Sequence, residues 1–152
     1  DRVQHKPRLP GAEALVRAAI AEEHDLGLSV HLPDCESRRL ATSSKVFEYL
    51  MAGLPVVAAD QRGSRHILTE LGAGEAVGYL FPPDDDAALA RTLRQIAASP
   101  QMLHRQQQAA RHLAETKLSW EHESERLLAC YRRLGAGGSP SIHHSESAHS
   151  SK

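Results

Sequence analysis

Short apolar runs alternate with amphipathic stretches along most of this chain. Three compact apolar runs, at residues 26–31, 55–59 and 77–81, are bounded by polar or turn residues and predict β-strands. The middle run lies between Gly53 and Asp60 and contains no charged residue, which is typical of a strand buried on both faces.

Helical periodicity fills most of the intervals between these runs. Residues 32–42 are the exception, because Pro33 and several charges predict a loop there. Pro100 directly after Ser99 is typical of a first helical turn. Helices are predicted at residues 13–23, 45–53, 64–71, 84–98, 100–113 and 119–134.

Strands that alternate with helices predict an α/β fold with a Rossmann-like parallel sheet, right-handed crossovers and helices on both faces. Three strands are few for such a sheet, so residues 1–134 are expected to be the second half of a doubly wound domain with a helical C-terminal end. From Gly135 onward the sequence is rich in Gly, Ser and His and has no apolar period. Residues 135–152 therefore predict a disordered tail.

Composition narrows the possible functions. A net charge of −1, with both signs mixed along the helices, argues against a nucleic-acid partner. Cys35 and Cys130 lie in unlike contexts and are expected to be free thiols in a reducing compartment. Neither a transmembrane segment nor a signal peptide is predicted, so we expect a cytoplasmic protein, with a peripheral position at a membrane left open.

Several residues could be interpreted as metal or ligand sites, but each also has a structural explanation. Ten histidines are present, but none forms a His-x-x-x-His pair, so no metal site is predicted. Asp84, Asp85 and Asp86 suggest either magnesium binding or the start of a helix, and the helix dipole favours the second interpretation. Trp120 and Tyr131 lie on the apolar face of the last helix, where a core position is expected.

Lys45 and Glu48 are unusual charges in their helix. That helix is apolar nearly all round, which predicts a buried helix, and a buried carboxylate costs several kcal/mol unless it is bound. One explanation is a ligand. The other is that Lys45 and Glu48 pair with each other at the edge of the domain.

The ends of the predicted strands indicate where a ligand would bind. Ligands of open parallel sheets lie outside the carboxyl ends of the strands. Ser43 or Ser44, and Ser64, begin the helices that follow the first two strands, so two helix N-termini would offer N–H groups to an anion such as a diphosphate. Lys45 would add positive charge, and Glu48 could accept two hydrogen bonds from a ribose diol.

Residues 43–57, SSKVFEYLMAGLPVV, resemble the donor-binding motif of retaining GT-B glycosyltransferases, the family often called glycosyltransferase group 1. The resemblance extends over roughly residues 12–134 in the order of the family. Weaker matches flank the motif at residues 24–29, Gly63, residues 82–84 and residues 119–121.

The resemblance implies two Rossmann-like domains that face each other across a cleft, with the nucleotide sugar held mainly by the C-terminal domain. Glu48 would bind the ribose of the donor. The loops at residues 60–64 and around Ser43 would lie near the diphosphate and the transferred sugar. No metal cofactor is implied, because positive side chains and helix N-termini stabilise the departing diphosphate.

The chain departs from the family pattern in two places. The family commonly carries an acid eight residues before the ribose-binding one, and here that position is Leu40, with Asp34 and Glu36 nearby. The N-terminal acceptor domain and the diphosphate-gripping Arg/Lys pair are also missing from this sequence. We therefore expect the fragment to be inactive without that domain or a partner chain.

The sequence thus predicts the donor-binding part of a glycosyltransferase that moves a sugar from a nucleoside diphosphate sugar to an acceptor. Two other hypotheses stay open. One is a non-catalytic or degenerate nucleotide-sugar-binding module that needs a partner domain, and the other is a GT-B type sugar-nucleotide epimerase.

Overall fold

The computed structural model describes residues 9–21, 24–31, 35–71 and 77–136. Its three strands are β1 (Gly27–Ser29), β2 (Val56–Ala59) and β3 (Gly78–Phe81). They form a parallel sheet in the order β1-β2-β3, and each strand lies inside one of the predicted apolar runs. The predicted α/β fold with a Rossmann-like parallel sheet is confirmed.

Seven α-helices accompany this sheet in the described part of the chain. They are α1 (Ala12–Ala21), α2 (Glu36–Leu40), α3 (Ser44–Met51), α4 (Arg62–Arg65), α5 (Asp86–Ala97), α6 (Pro100–Thr116) and α7 (Trp120–Ala136). A π-helical segment, His66–Glu70, directly continues α4. The chain divides into two units: the first ends at Ser119 and holds the sheet with α1 to α6, and the described part of the second is α7.

Helices cover both faces of β2. Val56 and Ala58 pack with α3, the π-helical segment and α6. Val57 and Ala59 pack with α5 on the other face. All four residues of β2 are buried, so the apolar run has no polar alternation because neither face meets water.

The ends of α3 follow from three residues. The hydroxyl of Ser43, the N-cap, accepts a hydrogen bond from the backbone N–H of Lys45 at 3.4 Å. Gly53 follows the helix with a φ of 75°, a left-handed conformation that glycine adopts at little cost. The predicted cap and the predicted stop are therefore confirmed.

The expectation that α3 is buried all round is wrong. Val46 and Leu50 are fully buried, but Met51 is 47% exposed and Lys45 is also exposed. The sheet covers one side of a helix only, and residues on the far side meet solvent. The helix is amphipathic despite its apolar sequence.

Two predictions about the loops also need correction. Residues 36–40 form α2 rather than a loop, because this segment has no Gly or Pro and places Glu36 in the first turn, where the helix dipole favours an acid. Residues 32–34 of the predicted loop lie outside the described residues. The next helix begins at Arg62, with Gln61 as its N-cap, and not at Ser64.

The acidic run ahead of α5 caps that helix. Asp85 is the N-cap, and its carboxylate accepts a hydrogen bond from the N–H of Ala88 at 2.7 Å. Asp84 has a φ of 66° and lies outside the helix, which begins at Asp86 rather than at residue 84. The capping interpretation of these acids is confirmed.

Helix α7 is the described part of the second unit. Trp120 is 72% exposed and Tyr131 is 64% exposed, so the expected core position of these aromatic residues is wrong. An apolar stripe on a single helix is buried only by another surface, and the described part of this unit offers none. The helix continues to Ala136, past the predicted start of the tail, and residues 137–152 lie outside the described residues.

Candidate functional site

The segments that follow the three strands are joined at the carboxyl end of the sheet. The N–H of Asp60 donates to the carbonyl of Phe81 at 2.8 Å and so continues the pairing of β2 with β3. The side chain of Gln61 donates through Nε2 to the carbonyl of His31 at 2.9 Å, which ties the loop after β2 to the segment after β1. These contacts form one continuous edge, where ligands of open parallel sheets bind.

Gly63 places α4 directly against the segment that leads into α3. A Cβ on Gly63 would lie 2.8 Å from both the carbonyl carbon and the carbonyl oxygen of Ala41, and it would also collide with the hydroxyl of Thr42. Only a residue without a side chain permits this approach. Because Ser43 caps α3 two residues after Ala41, the N-termini of α3 and α4 lie side by side.

At the first turn of α4, the groups that a ligand could contact are backbone N–H groups rather than the hydroxyl of Ser64. The first hydrogen bond of this helix runs from the N–H of Arg65 to the carbonyl of Gln61. The preceding N–H groups, including those of Gly63 and Ser64, have no carbonyl one turn earlier in the helix. Ser64 as a whole is only 4% exposed, so its hydroxyl does not face solvent.

The N-terminus of α3 carries Ser44 and Lys45, which are both exposed. No ion pair between described residues joins Lys45 to Glu48. The interpretation in which these two charges neutralise each other is therefore wrong for this structure. Lys45 is thus an exposed cation in the first turn of α3.

Glu48 is half-buried on the outer side of α3. At about 100° per residue, its side chain leaves the helix about 160° away from those of Val46 and Leu50, which face the core. It lies about 4.5 Å along the helix axis from Lys45. A ligand that contacts both residues would therefore extend along the outside of α3 from its N-terminus.

Tyr49 is a neighbour of Glu48 with a perturbed hydroxyl. Its ring packs where a side chain on Gly27 of β1 would otherwise lie. Burial raises the pKa of Tyr49, and the nearby charge of Glu48 raises it further. The phenol therefore stays protonated, as a hydrogen-bond donor, in the electrostatic field of Glu48.

Sequence reasoning gave no individual role to three residues of this edge. Gln61 links two loops, and Arg65 forms an ion pair with Asp60 across the start of α4. Arg62 is exposed at the first position of α4 and forms no ion pair with another described residue. The sequence feature that could have identified these three residues is their position directly after a buried strand.

Among the described residues, no group of three or more His, Cys, Asp or Glu side chains could hold a metal ion. Cys35 and Cys130 are exposed free thiols, as predicted. No helix in this part of the chain combines the length and the apolar character needed to cross a membrane.

Comparisons with known proteins bear on the family and the fold of the chain. The family model described as glycosyl transferases group 1 matches residues 35–113, which include all six predicted donor-binding residues. A solved structure of sucrose-phosphate synthase from Thermosynechococcus elongatus is similar at 26% identity with a TM-score of 0.55. The match covers 64% of this chain and 23% of that protein, so the chain spans less than a quarter of its length. A comparison with curated proteins gave no match.

Proposed function

Because this chain belongs to the group 1 family of glycosyl transferases, we propose that it is the donor-binding part of an enzyme that transfers a sugar from a nucleoside diphosphate sugar to an acceptor. The donor lies at the carboxyl edge of the sheet. Its diphosphate contacts the N-termini of α3 and α4, and its ribose contacts Glu48.

The meeting of these two N-termini is the observation that carries the proposal. Gly63 brings the first turn of α4 against Ala41, next to the cap of α3. Each N-terminus carries about half a positive charge, and Lys45 and Arg62 each add a full one. A diphosphate is doubly or triply charged and matches this concentration of N–H groups and cations, so the proposal needs no metal cofactor.

The position of Glu48 supports a ribose contact. In a nucleoside diphosphate the ribose follows the diphosphate directly, and Glu48 follows Lys45 by about one helical turn on an accessible side of α3. Two carboxylate oxygens can accept one hydrogen bond from each hydroxyl of a vicinal diol.

We also propose that this sheet is part of a larger one. Leu28 and Val30 are 43% and 44% exposed. Leu28 is in register with Val57, so it belongs to the face that α5 covers over β2. Parallel sheets are normally covered on both faces, and this strip of β1 is not.

The position of α1 indicates where the additional strand would lie. Helix α1 contacts α3, which covers the opposite face of the sheet. Right-handed crossovers whose helices lie on the same face of a sheet all add strands in the same direction. The crossover from β1 to β2 runs through α3, so a crossover through α1 on that face would run into β1 from the side away from β2. The strand that precedes α1 would therefore pair with β1 on that side. The proposal assigns this strand to the N-terminal part of the enzyme, which carries the acceptor domain, or to a partner chain.

A cytoplasmic location belongs to the same proposal. The exposed thiols of Cys35 and Cys130 support a reducing compartment, where such thiols persist.

Calorimetry with uridine diphosphate and guanosine diphosphate tests the donor site. We expect one of them to bind the wild-type chain, and Glu48→Ala to weaken its binding by about 1 to 3 kcal/mol, because the ribose hydroxyls lose their acceptor. Glu125→Ala, on α7, is the matched control and is expected to bind like the wild type. Equal affinities of wild type and Glu48→Ala would remove Glu48 from the site, and a wild-type chain that binds neither nucleotide would contradict the proposed function.

A further inference from the structure

We propose that Gln61 is a positioning residue of the donor site, which holds the N-terminus of α4 in its place beside that of α3. The inference rests on the proposed function. It assigns a role to a residue that lies outside the six predicted donor-binding positions.

The local structure does not need the side chain of Gln61. Gln61 is the N-cap of α4, a position where Ser, Thr, Asp or Asn normally accepts a hydrogen bond from the first turn. Its side chain makes no such bond. It extends instead to the carbonyl of His31, thirty residues away in sequence, and donates at 2.9 Å. The side-chain amide of Gln61 thus connects two loops and leaves the first turn of α4 without a side-chain cap.

This bond completes a set of contacts around the start of α4. Gly63 fixes one side of the first turn against Ala41, and the N–H of Asp60 fixes the preceding residue to Phe81. Neither contact reaches the residues directly after β1, because Ala41 follows α2. Gln61 supplies that link, so the N–H groups of α4 are tied to the segments after all three strands.

The consequence for the donor is geometric. Anion binding by two separate helix N-termini requires both sets of N–H groups to point at the same phosphates, and preorganised donors bind more tightly than mobile ones. If the loop after β2 moves away from His31, the backbone N–H groups of α4 no longer point at the phosphates that Lys45 contacts. Gln61 acts through these donors and need not touch the nucleotide itself.

The chain offers a matched control. Gln107 is also partly exposed, and its Nε2 donates to the carbonyl of Asp25 at 3.2 Å. This is the same kind of bond, a side-chain amide to a loop carbonyl, but Asp25 precedes β1 and so lies at the opposite end of the sheet. Gln107→Ala removes an equivalent bond far from the proposed diphosphate.

A second variant separates positioning from stability. Gln61→Ser shortens the side chain so that it cannot reach His31, and it introduces a residue that caps helices well. We expect Gln61→Ser to melt at or above the wild-type temperature. Gln61→Ala loses the link without gaining a cap.

The test measures the dissociation constant of the nucleoside diphosphate that binds the wild type, together with the melting temperature of each variant. We expect Gln61→Ala and Gln61→Ser to bind about 3- to 10-fold more weakly, the effect of one lost hydrogen bond, and Gln107→Ala to bind like the wild type. Wild-type affinity in Gln61→Ser would overturn the inference, and so would a loss in Gln107→Ala that matches the loss in Gln61→Ala. If the wild type binds no nucleotide, the proposed function fails, and this inference fails with it.

Discussion

Gly63 and the carbonyl group of Ala41 are in direct contact, at a distance that leaves no space for a side chain on Gly63. Gly63 lies in the first turn of α4 and Ala41 lies between α2 and α3, so their contact brings the N-terminus of α4 close to that of α3. The donor site that we propose depends on this approach of two backbones.

Gly63→Ala is expected to destabilise the fold by about 1 to 3 kcal/mol, the usual cost of forcing a methyl group into a packed site. The added methyl must push α4 away from Ala41, so nucleotide binding should weaken as well. Urea unfolding measures the first effect and calorimetry the second.

Gly11→Ala is the control for this variant. Apart from its neighbours in the chain, a methyl group added at Gly11 would meet no atom of the described residues within 4 Å. Gly11 also precedes α1, so its replacement should leave stability and binding nearly unchanged. A Gly63→Ala protein as stable as Gly11→Ala would contradict the close approach.

Tyr49 makes the free energy of unfolding depend on pH in the alkaline range. The folded protein holds the phenol proton above the ordinary pKa of 10.0, because the ring is buried and Glu48 is near. The unfolded chain therefore releases this proton first as the pH rises. The contribution of Tyr49 is fully present below about pH 10 and is lost as the pH rises through the higher pKa of the folded state.

Tyr49→Phe should remove this part of the alkaline loss. Unfolding free energies measured between pH 8 and pH 11, a range of about three units around the tyrosine pKa, should fall less steeply for Tyr49→Phe than for the wild type. Tyr131→Phe, at a tyrosine that is 64% exposed, should follow the wild-type curve. Parallel curves for the wild type and Tyr49→Phe would show that burial of Tyr49 has no such effect.

The sequence predicts the sheet well because buried parallel strands are continuous apolar runs, and β2 is the clearest case. It predicts helix starts less well, because these depend on single capping contacts. The apolar pattern places Asp85 inside the helix that this residue caps, and α4 begins two residues before Ser64. A pattern of apolar residues does not distinguish a cap from a first turn.

The candidate site likewise has residues that the sequence predicts and contacts that it does not. Ser43, Lys45 and Glu48 could be named from one short motif, because a single helix carries them. The contact of Gly63 with Ala41 and the bond of Gln61 to His31 join segments far apart in sequence, and no local pattern encodes such pairs. Long-range contacts of this kind required the structure.

Leu50 and Met51 are neighbours in sequence with opposite environments. Leu50 is fully buried against the sheet, whereas Met51 is 47% exposed. Leu50→Ala is expected to lower the unfolding free energy by about 2 to 5 kcal/mol, because it leaves a cavity in the core. Met51→Ala should change it by less than about 0.5 kcal/mol.

Chemical denaturation of both variants measures this difference. Similar losses for the two variants would mean that α3 is buried on all sides, as its apolar sequence suggests. A large loss for Leu50→Ala alone would confirm that α3 presents one face to the sheet and leaves the other accessible, which the proposed contact of Glu48 with ribose requires.

Asp85 and Asp86 allow the cap of α5 to be tested against a general effect of negative charge. Asp85→Ala removes the acceptor for the N–H of Ala88 and should cost about 0.5 to 2 kcal/mol of stability. Asp86→Ala removes a charge from the first turn only, so its cost should be smaller, about 0.3 to 1 kcal/mol, and should shrink at high salt. Thermal unfolding at low and high salt separates the two effects. If the two variants lose equal stability and both losses vanish in salt, Asp85 stabilises α5 by its charge alone and not as a cap.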